Sequence, residues 1–438
     1  MGKVVKLEPT AKAKAAASRR ARQRMAARGV GRAEAADRRR RPRRDKTALV
    51  LGGGGFTGGV YEIGALRALD LLAVNSTVSQ FDVYVGTSAG SFIAALVANG
   101  VTPEEMMSVV TRQGSRPFRD IDLADLLRPN VLEYARTGAA LPLKALKLLR
   151  EVVTQRGSVS AMDAMLALAE GLPSGAYTGA GIERYLRKVL SEPGRSDDFS
   201  ELPCELYITA TDLDTCERVV FGVEGTDTPI STAVRASGAL PMVYAPVRVH
   251  DRELIDGGIV STTNLDIAVQ AGAKLIIVIN PIVPFVNDFT STVRTVRGRR
   301  PRRVSDMGFP QIGYQVFKLV AHQRLHELAK GWEERYPGVD IVLIEPEPND
   351  ELMFQTSMMN FASRVEIARH GFESVTKHLA GEYARYAEIA ERHGIEISGR
   401  RVRKVVEHFD AEPEHVSAWR KILEGTTGAL LRQASSSG

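Results

Sequence analysis

A serine framed by glycines is the first place where this chain carries the means for a covalent reaction. Gly86-Thr87-Ser88-Ala89-Gly90 has the form Gly-x-Ser-x-Gly. A nucleophilic serine on a tight strand-to-helix turn sits at strained backbone angles, and side chains two positions away on either side would collide with the neighbouring chain. Glycines at Gly86 and Gly90 meet that demand. The bare pattern is also a common turn, and its context selects the nucleophile: an apolar strand precedes it and a helix follows. Upstream lies the run Gly52-Gly53-Gly54-Gly55-Phe56-Thr57-Gly58-Gly59. Gly53-x-Gly55-x-x-Gly58 fits the dinucleotide-binding fingerprint, but that reading needs an acid at the end of the next strand, where Val85-Gly86-Thr87-Ser88 stands instead. Its only acid, Asp82, lies near the start. A phosphate loop of the Gly-Lys-Ser/Thr type is excluded because no such triplet follows. What remains is a backbone cradle. Glycines at a helix N-terminus offer unobstructed N–H groups to an anion, and the tetrahedral oxyanion of acyl transfer is one. Further on, Asp256-Gly257-Gly258 follows a strand end, so its carboxylate can project into a site the backbone leaves open. Asp-Gly alone is an ordinary turn.

These residues need positioning elements, and the chain supplies them in order. Thr47 to Leu51 is a short apolar strand pattern that stops at the glycine run. Val60, Ile63, Leu66 and Leu69 recur at helical spacing, Phe81 to Val85 is the next strand, and an apolar helix spans Ser91 to Ala98. Strands are predicted over Cys204–Ala210, Val219–Gly222, Val243–Val249, Glu253–Ile255 and Asp340–Glu345. Lys274–Asn280 is nearly all apolar, as a parallel sheet covered on both faces requires. Thr228-Pro229 opens a helix over Ile230–Ser237, and Gln311–Lys330 is a further helix. Asp212 and Asp214 fall in a turn and receive no chemistry.

Gly53-Gly54-Gly55-x-x-Gly58, then Gly86-x-Ser88-x-Gly90, then Asp256-Gly257-Gly258, in this order, resemble the three motifs of patatin-like phospholipases. The resemblance spans Thr47 to Val283 by motif and extends more loosely toward Gly371. It implies an α/β, three-layer fold in which a central, mostly parallel sheet is flanked by helices. It also implies a Ser–Asp dyad without a catalytic histidine, acting on acyl esters of phospholipids and other lipids. Carried onto this chain, Ser88 is the nucleophile, Asp256 its general base, Gly53, Gly54 and Gly55 the oxyanion hole, and Gly86 and Gly90 the elbow. No metal and no cofactor is expected. One departure stands out: the family usually has Arg or Lys just before the last glycine of its loop, and this chain has Thr57. Two alternatives use the same frame, an acyltransferase with the same dyad and a catalytically inactive lipid-binding protein. A Ser–acid–His triad would need His322 or His326. Both lie in the predicted helix Gln311–Lys330, whereas catalytic histidines usually sit on loops, so they are expected on the helix surface. His250, at a strand end, is expected to be structural.

Charge divides the chain. Residues 1–46 hold 17 Lys and Arg against four Asp and Glu, a balance of +13; with +6 for the whole, the remainder is near −7. This Arg- and Ala-rich segment lacks the apolar content to bury a core, and it is expected to be a disordered basic extension. It has no apolar core of a secretory signal, and no run reaches the length of a membrane-spanning helix, so a cytoplasmic protein is expected, with peripheral contact to an anionic membrane through the basic segment. No nucleic-acid-binding fold motif accompanies the charge, so nucleic acid is not an expected partner. Residues 47–380 are expected to form the catalytic domain, with a helical cap over about residues 102–179 that includes Leu141–Val153, followed by a helical extension over 381–438. Arg294–Arg303 is expected to be an exposed loop. Cys204 and Cys216 lack metal-ligand spacing and are expected to be reduced.

Overall fold

The computed structural model describes residues 4–6, 45–111, 129–131, 174–223, 226–287, 289, 292–295, 298–301, 303–348, 350, 352–353 and 361–411. Most of the basic extension, the greater part of the cap region with Leu141–Val153, and residues 412–438 lie outside these. In chain order the strands are β1 (Val4–Lys6), β2 (Thr47–Leu51), β3 (Val83–Thr87), β4 (Gly175–Tyr177), β5 (Glu205–Asp212), β6 (Arg218–Phe221), β7 (Met242–Tyr244), β8 (Val247–Val249), β9 (Arg252–Asp256), β10 (Leu275–Ile279), β11 (Thr292–Thr295), β12 (Gly298–Pro301) and β13 (Asp340–Ile344). The helices are α1 (Gly55–Leu72), α2 (Ala89–Ala98), α3 (Pro103–Val110), α4 (Ala180–Leu190), α5 (Ile230–Ser237), α6 (Leu265–Gln270), α7 (Phe309–Ala329), α8 (Trp332–Arg335), α9 (Arg364–Gly381), α10 (Tyr383–Arg392) and α11 (Gly399–Ala411).

The main sheet runs β1-β6-β5-β3-β2-β10-β13, with β9 pairing to β5 and β8 to β9. The pairs β5/β3, β3/β2, β2/β10 and β10/β13 are parallel, while β5/β6, β5/β9 and β8/β9 are antiparallel. Strands buried on both faces explain the unbroken apolar runs. Because side chains alternate along a strand, Leu49 and Leu51 of β2 join one core with Tyr61, Leu66 and Phe372, while Ala48 and Val50 join a second core with Leu265, Ala268, Leu325 and Trp332. The result is a mixed α/β fold in three layers, with a mostly parallel sheet between helices. Each fully buried Leu or Ile contributes about 1.5–3 kcal/mol of transfer free energy, so the two cores hold the central strands firmly.

Helices α1 and α9 cross at very short range. A Cβ on Gly64 would fall 2.0 Å from the Ala368 carbonyl oxygen, and one on Gly371 would fall 2.3 Å from that of Tyr61. Two glycines facing each other's backbone bring the axes close, and they tie residues near 370 to α1. Beyond residue 381, Ser398 N–H donates to Leu72 O and the Arg401 guanidinium to Leu71 O and Ala73 O, so α11 docks on the C-terminal end of α1.

Three features differ from the sequence patterning. The single strand expected over Val243–Val249 is two, because Pro246 offers no N–H to a ladder; β7 pairs with β4 in a separate small sheet and β8 turns back onto β9. The basic stretch Arg294–Arg303, expected as a loop, contributes to an antiparallel hairpin of β11 and β12. The described piece of the basic extension, Val4–Lys6, adds in parallel to β6 at the sheet edge.

Candidate active site

The strand β3, the residue Ser88 and the helix α2 form a sharp elbow. Ser88 has φ 54° and ψ −126°, backbone angles that L-residues rarely adopt. The glycines on either side are required by contact. A Cβ on Gly86 would stand 2.4 Å from Ser91 Cα, and one on Gly90 would stand 2.2 Å from Gly52 O. The Gly90 N–H donates to that same oxygen at 3.0 Å, so the elbow is also tied to the glycine run. Two further serines brace it: Ser88 N–H donates to Ser237 Oγ at 2.8 Å, and Ser91 Oγ–H donates to Ser88 O at 2.5 Å.

Beneath the elbow lies a buried polar cluster. Thr87 and Thr209 hydroxyls meet at 2.9 Å, and Asn264 Nδ2 reaches both, at 2.9 and 3.1 Å. Asn264 Oδ1 accepts from Arg218 Nη1 at 2.7 Å, and Arg218 in turn pairs with Asp266. Fully satisfied, such a cluster fixes the ends of β3, β5 and α6 relative to one another.

Asp256 closes β9, and the sheet brings it to Ser88. Its Oδ2 accepts the Ser88 hydroxyl at 2.5 Å, while Oδ1 accepts the Gly258 N–H at 2.7 Å. The backbone around it is held by Asp256 N–H to Ala239 O and Thr211 Oγ1–H to Asp256 O, both 3.0 Å. Gly257 cannot carry a side chain, because a Cβ would fall 2.4 Å from Thr209 O. Ser88 is 9% exposed and Asp256 3%. Burial pushes the Asp256 carboxyl up to about 6, against the opposite pull of its hydrogen bonds from Ser88 and Gly258.

The glycine run folds over the same spot. Gly54 has φ 133° and Gly55 φ 63°, and α1 begins at Gly55. A Cβ on Gly53 would lie 3.3 Å from Ser88 Cβ, so the loop passes directly beside Ser88. The N-termini of α1 and α2 thus converge on one cavity of about 40 Å³, lined by Gly53, Gly54, Gly55, Ser88, Asp256 and Tyr314. The positive dipole ends of two helices make this a place for negative charge. Thr57 is buried in the first turn of α1. One turn on, desolvation pushes the fully buried Glu62 carboxyl well above the usual carboxylate range. Adjoining the small cavity is a larger one of about 150 Å³, walled chiefly by apolar side chains including Phe56, Phe92, Leu96, Val110 and Tyr185, with Ser88 at its edge.

All the residues predicted for chemistry, Ser88, Asp256, Gly53, Gly54, Gly55, Gly86 and Gly90, therefore come together. Asp212 does not join them; it is paired with Arg252 at 2.9 Å and accepts the N–H groups of Asp214 and Thr215. His250 faces Asp227 at 3.1 Å. His322 and His326 lie on α7 as expected, but His326 Nε2 stands 2.8 Å from Glu345 Oε2, and among the described residues these three form the group able to hold a metal ion. Sequence reasoning missed Ser237, Ser91 and the Thr87–Thr209–Asn264 cluster. Ser91 was within reach, one helical turn from Ser88; nothing local marks Ser237 or Asn264.

The family model for patatin-like phospholipase matches residues 49–269, which takes in the glycine loop, the elbow and Asp256. The chain belongs to the patatin-like phospholipase family. Membership supports lipid hydrolysis in general. A probable lipid hydrolase, 463L, of Invertebrate iridescent virus 6 is 25% identical over 235 residues, 52% of this chain and 65% of the viral protein. Patatin-like phospholipase domain-containing protein 6 of Homo sapiens is 27% identical over 233 residues, 53% of this chain and 13% of the human protein; that of Mus musculus is 27% identical over the same length. The chain thus spans less than two thirds of the curated relatives it matches. Among solved structures, VipD from Legionella pneumophila is 16% identical and covers 78% of this chain and 67% of its own, with a TM-score of 0.32. No helix among the described residues is long and apolar enough to cross a membrane.

Proposed function

We propose that this protein is a lipid acyl hydrolase, a carboxylic ester hydrolase working through a Ser88–Asp256 dyad. The observation that carries the reading is the 2.5 Å hydrogen bond from Ser88 Oγ to Asp256 Oδ2, made between two buried side chains at an elbow aimed into an anion-favouring cavity. Asp256 takes the hydroxyl proton as Ser88 Oγ attacks the ester carbonyl. The oxyanion develops against the Gly53–Gly55 backbone N–H groups, at the N-terminal end of α2. Collapse expels the alcohol, which leaves with the proton from Asp256, and an acyl-serine remains. Water then attacks with Asp256 again as base, and Ser88 is regenerated as the fatty acid departs. The apolar cavity beside Ser88 suits the acyl chain of such a substrate.

Contact with a lipid surface belongs to the same proposal. Helix α7 lends Tyr314 and Phe317 to the wall of the catalytic cavity, yet Ile312, Val316, Leu319 and Val320 on it are 40–59% exposed. An apolar stripe beside the site, together with the +13 of residues 1–46, suits docking on an anionic bilayer. The decisive test is covalent labelling by a fluorophosphonate, with wild type beside Ser88→Ala and mapping by mass spectrometry. Labelling at Ser88 that disappears in the variant is expected. Folded wild-type protein that stays unlabelled, with and without vesicles, refutes the nucleophile. Transfer of the acyl group to an alcohol uses the same residues, and product analysis with added alcohol separates it from hydrolysis.

A further inference from the structure

The structure holds a cluster of metal-ligating side chains that the proposed chemistry does not use. His322 and His326 are four residues apart on α7 and so share one helix face. Their ring centroids are 4.1 Å apart. Glu345 directly follows β13, and its Oε2 meets His326 Nε2 at 2.8 Å. One donor atom from each of the three lies within 4.8 Å of the others. We propose that His322, His326 and Glu345 bind a divalent transition-metal ion, with Zn²⁺ as the fitting example.

The donor set decides the class of ion. Two imidazole nitrogens and one carboxylate oxygen suit Zn²⁺, Co²⁺, Ni²⁺ or Cu²⁺, whereas Ca²⁺ and Mg²⁺ prefer oxygen throughout. Ligand bonds of about 2.0–2.2 Å place tetrahedral donors about 3.3 Å apart. His326 Nε2 and Glu345 Oε2 stand 2.8 Å apart, and no pair of the three donor atoms is separated by more than 4.8 Å, so small movements reach that value. Side-chain rotation can supply the adjustment, since His326 is 43% exposed and has room to turn. The contact between His326 Nε2 and Glu345 Oε2 is exchanged for bonds to the ion when it enters. Three protein ligands leave one position of a tetrahedron to water.

The carboxylate is already oriented for the task. Glu345 Oε1 accepts from Asn280 Nδ2 at 2.6 Å, which leaves Oε2 facing the histidines. Such outer-shell hydrogen bonds orient metal ligands. Asn280 also leads toward the candidate active site. It directly follows β10, and its amide bonds both Ile282 O at 3.2 Å and Ile282 N–H at 3.3 Å. The turn it holds lies on the glycine loop: Ile282 Cδ1 is 3.3 Å from where a Gly53 Cβ would stand, and Pro281 Cγ is 3.2 Å from that of Gly54. An ion gripping Glu345 therefore fixes, through Asn280, a wall of the oxyanion cradle. Ion binding stands apart from the hydrolase reading, while this coupling rests on it.

The test uses full-length protein without a polyhistidine tag, stripped with chelator. Co²⁺ is titrated and followed by its visible absorption, and Zn²⁺ is then used to displace it. Wild type is expected to take up one equivalent with micromolar or tighter affinity. Binding should weaken at least 100-fold in His322→Asn/His326→Asn, and about 10–100-fold in Glu345→Gln, which keeps an acceptor for Asn280. Uptake that is equal in wild type and the double variant, or no uptake by wild type, overturns the site. Ester hydrolysis is then measured with and without Zn²⁺. A change in kcat that appears in wild type and not in the double variant supports the coupling; equal responses overturn it. Because Co²⁺ absorption needs no turnover, the titration tests ion binding even in a protein that failed to label at Ser88.

Discussion

Replacing Asp256 by Asn removes the charge while keeping the shape, and it should make the protein more stable as it makes it inactive. The carboxyl is fully buried, and desolvation raises it from the ordinary 3.8 to about 6. The folded state therefore favours the protonated form, and ionising it there costs about 3 kcal/mol more than in the unfolded chain. The sign follows from the order of ionisation. Below about pH 4 the group is protonated in both states, and the variant gains nothing. Between about pH 4 and 6 the unfolded chain ionises first, so wild type loses stability as pH rises. Above about pH 6 the full difference is present. An Asn still offers Oδ1 to the Gly258 N–H. Thermal unfolding across this range should show Asp256→Asn melting about 4 °C above wild type at pH 8, with the gap closing near pH 4. Esterase activity of the same variant should fall about 10²–10⁴-fold. Wild-type activity should rise with pH through about 6 as the base ionises. A melting difference that does not vary with pH would refute the buried-charge argument, and retained activity would refute the dyad.

Other perturbations probe the frame around that pair. Gly90→Ala places a methyl 2.2 Å from Gly52 O, and soluble, folded yield should collapse; a normal melting curve would contradict the close approach of the elbow to the glycine loop. Ser237→Ala leaves the Ser88 N–H without its acceptor at the strained residue, which should cost about 1–3 kcal/mol in denaturant unfolding and slow fluorophosphonate labelling. Replacing Arg38–Arg41, Arg43 and Arg44 with Gln should weaken sedimentation with anionic vesicles and flatten its salt dependence; binding that ignores these changes would remove the basic segment from the lipid contact.

Much of the site was legible before any coordinates because its chemistry depends on local backbone demands. Gly86 and Gly90 are written into the sequence by contacts that no side chain survives, and Gly54 and Gly55 by positive φ in the loop. The unbroken apolar runs of β2 and β10 announced strands covered on both faces, which is how they are buried. Pro246 was equally legible as a strand breaker, and patterning across it joined two strands that belong to different sheets.

What the sequence determined by itself, then, was the set of tight turns and alternating faces, since steric exclusion and periodicity act over a few residues. The tertiary structure decided the rest. Ser88 and Asp256 are 168 positions apart, and only the β3/β5/β9 pairing sets their oxygens 2.5 Å from each other. The bracing by Ser237 and Asn264 and the meeting of His322 and His326 with Glu345 are likewise products of helices packing on a sheet. Such residues have ordinary local patterns, because a hydrogen bond across the fold constrains distance in space and leaves no period along the chain.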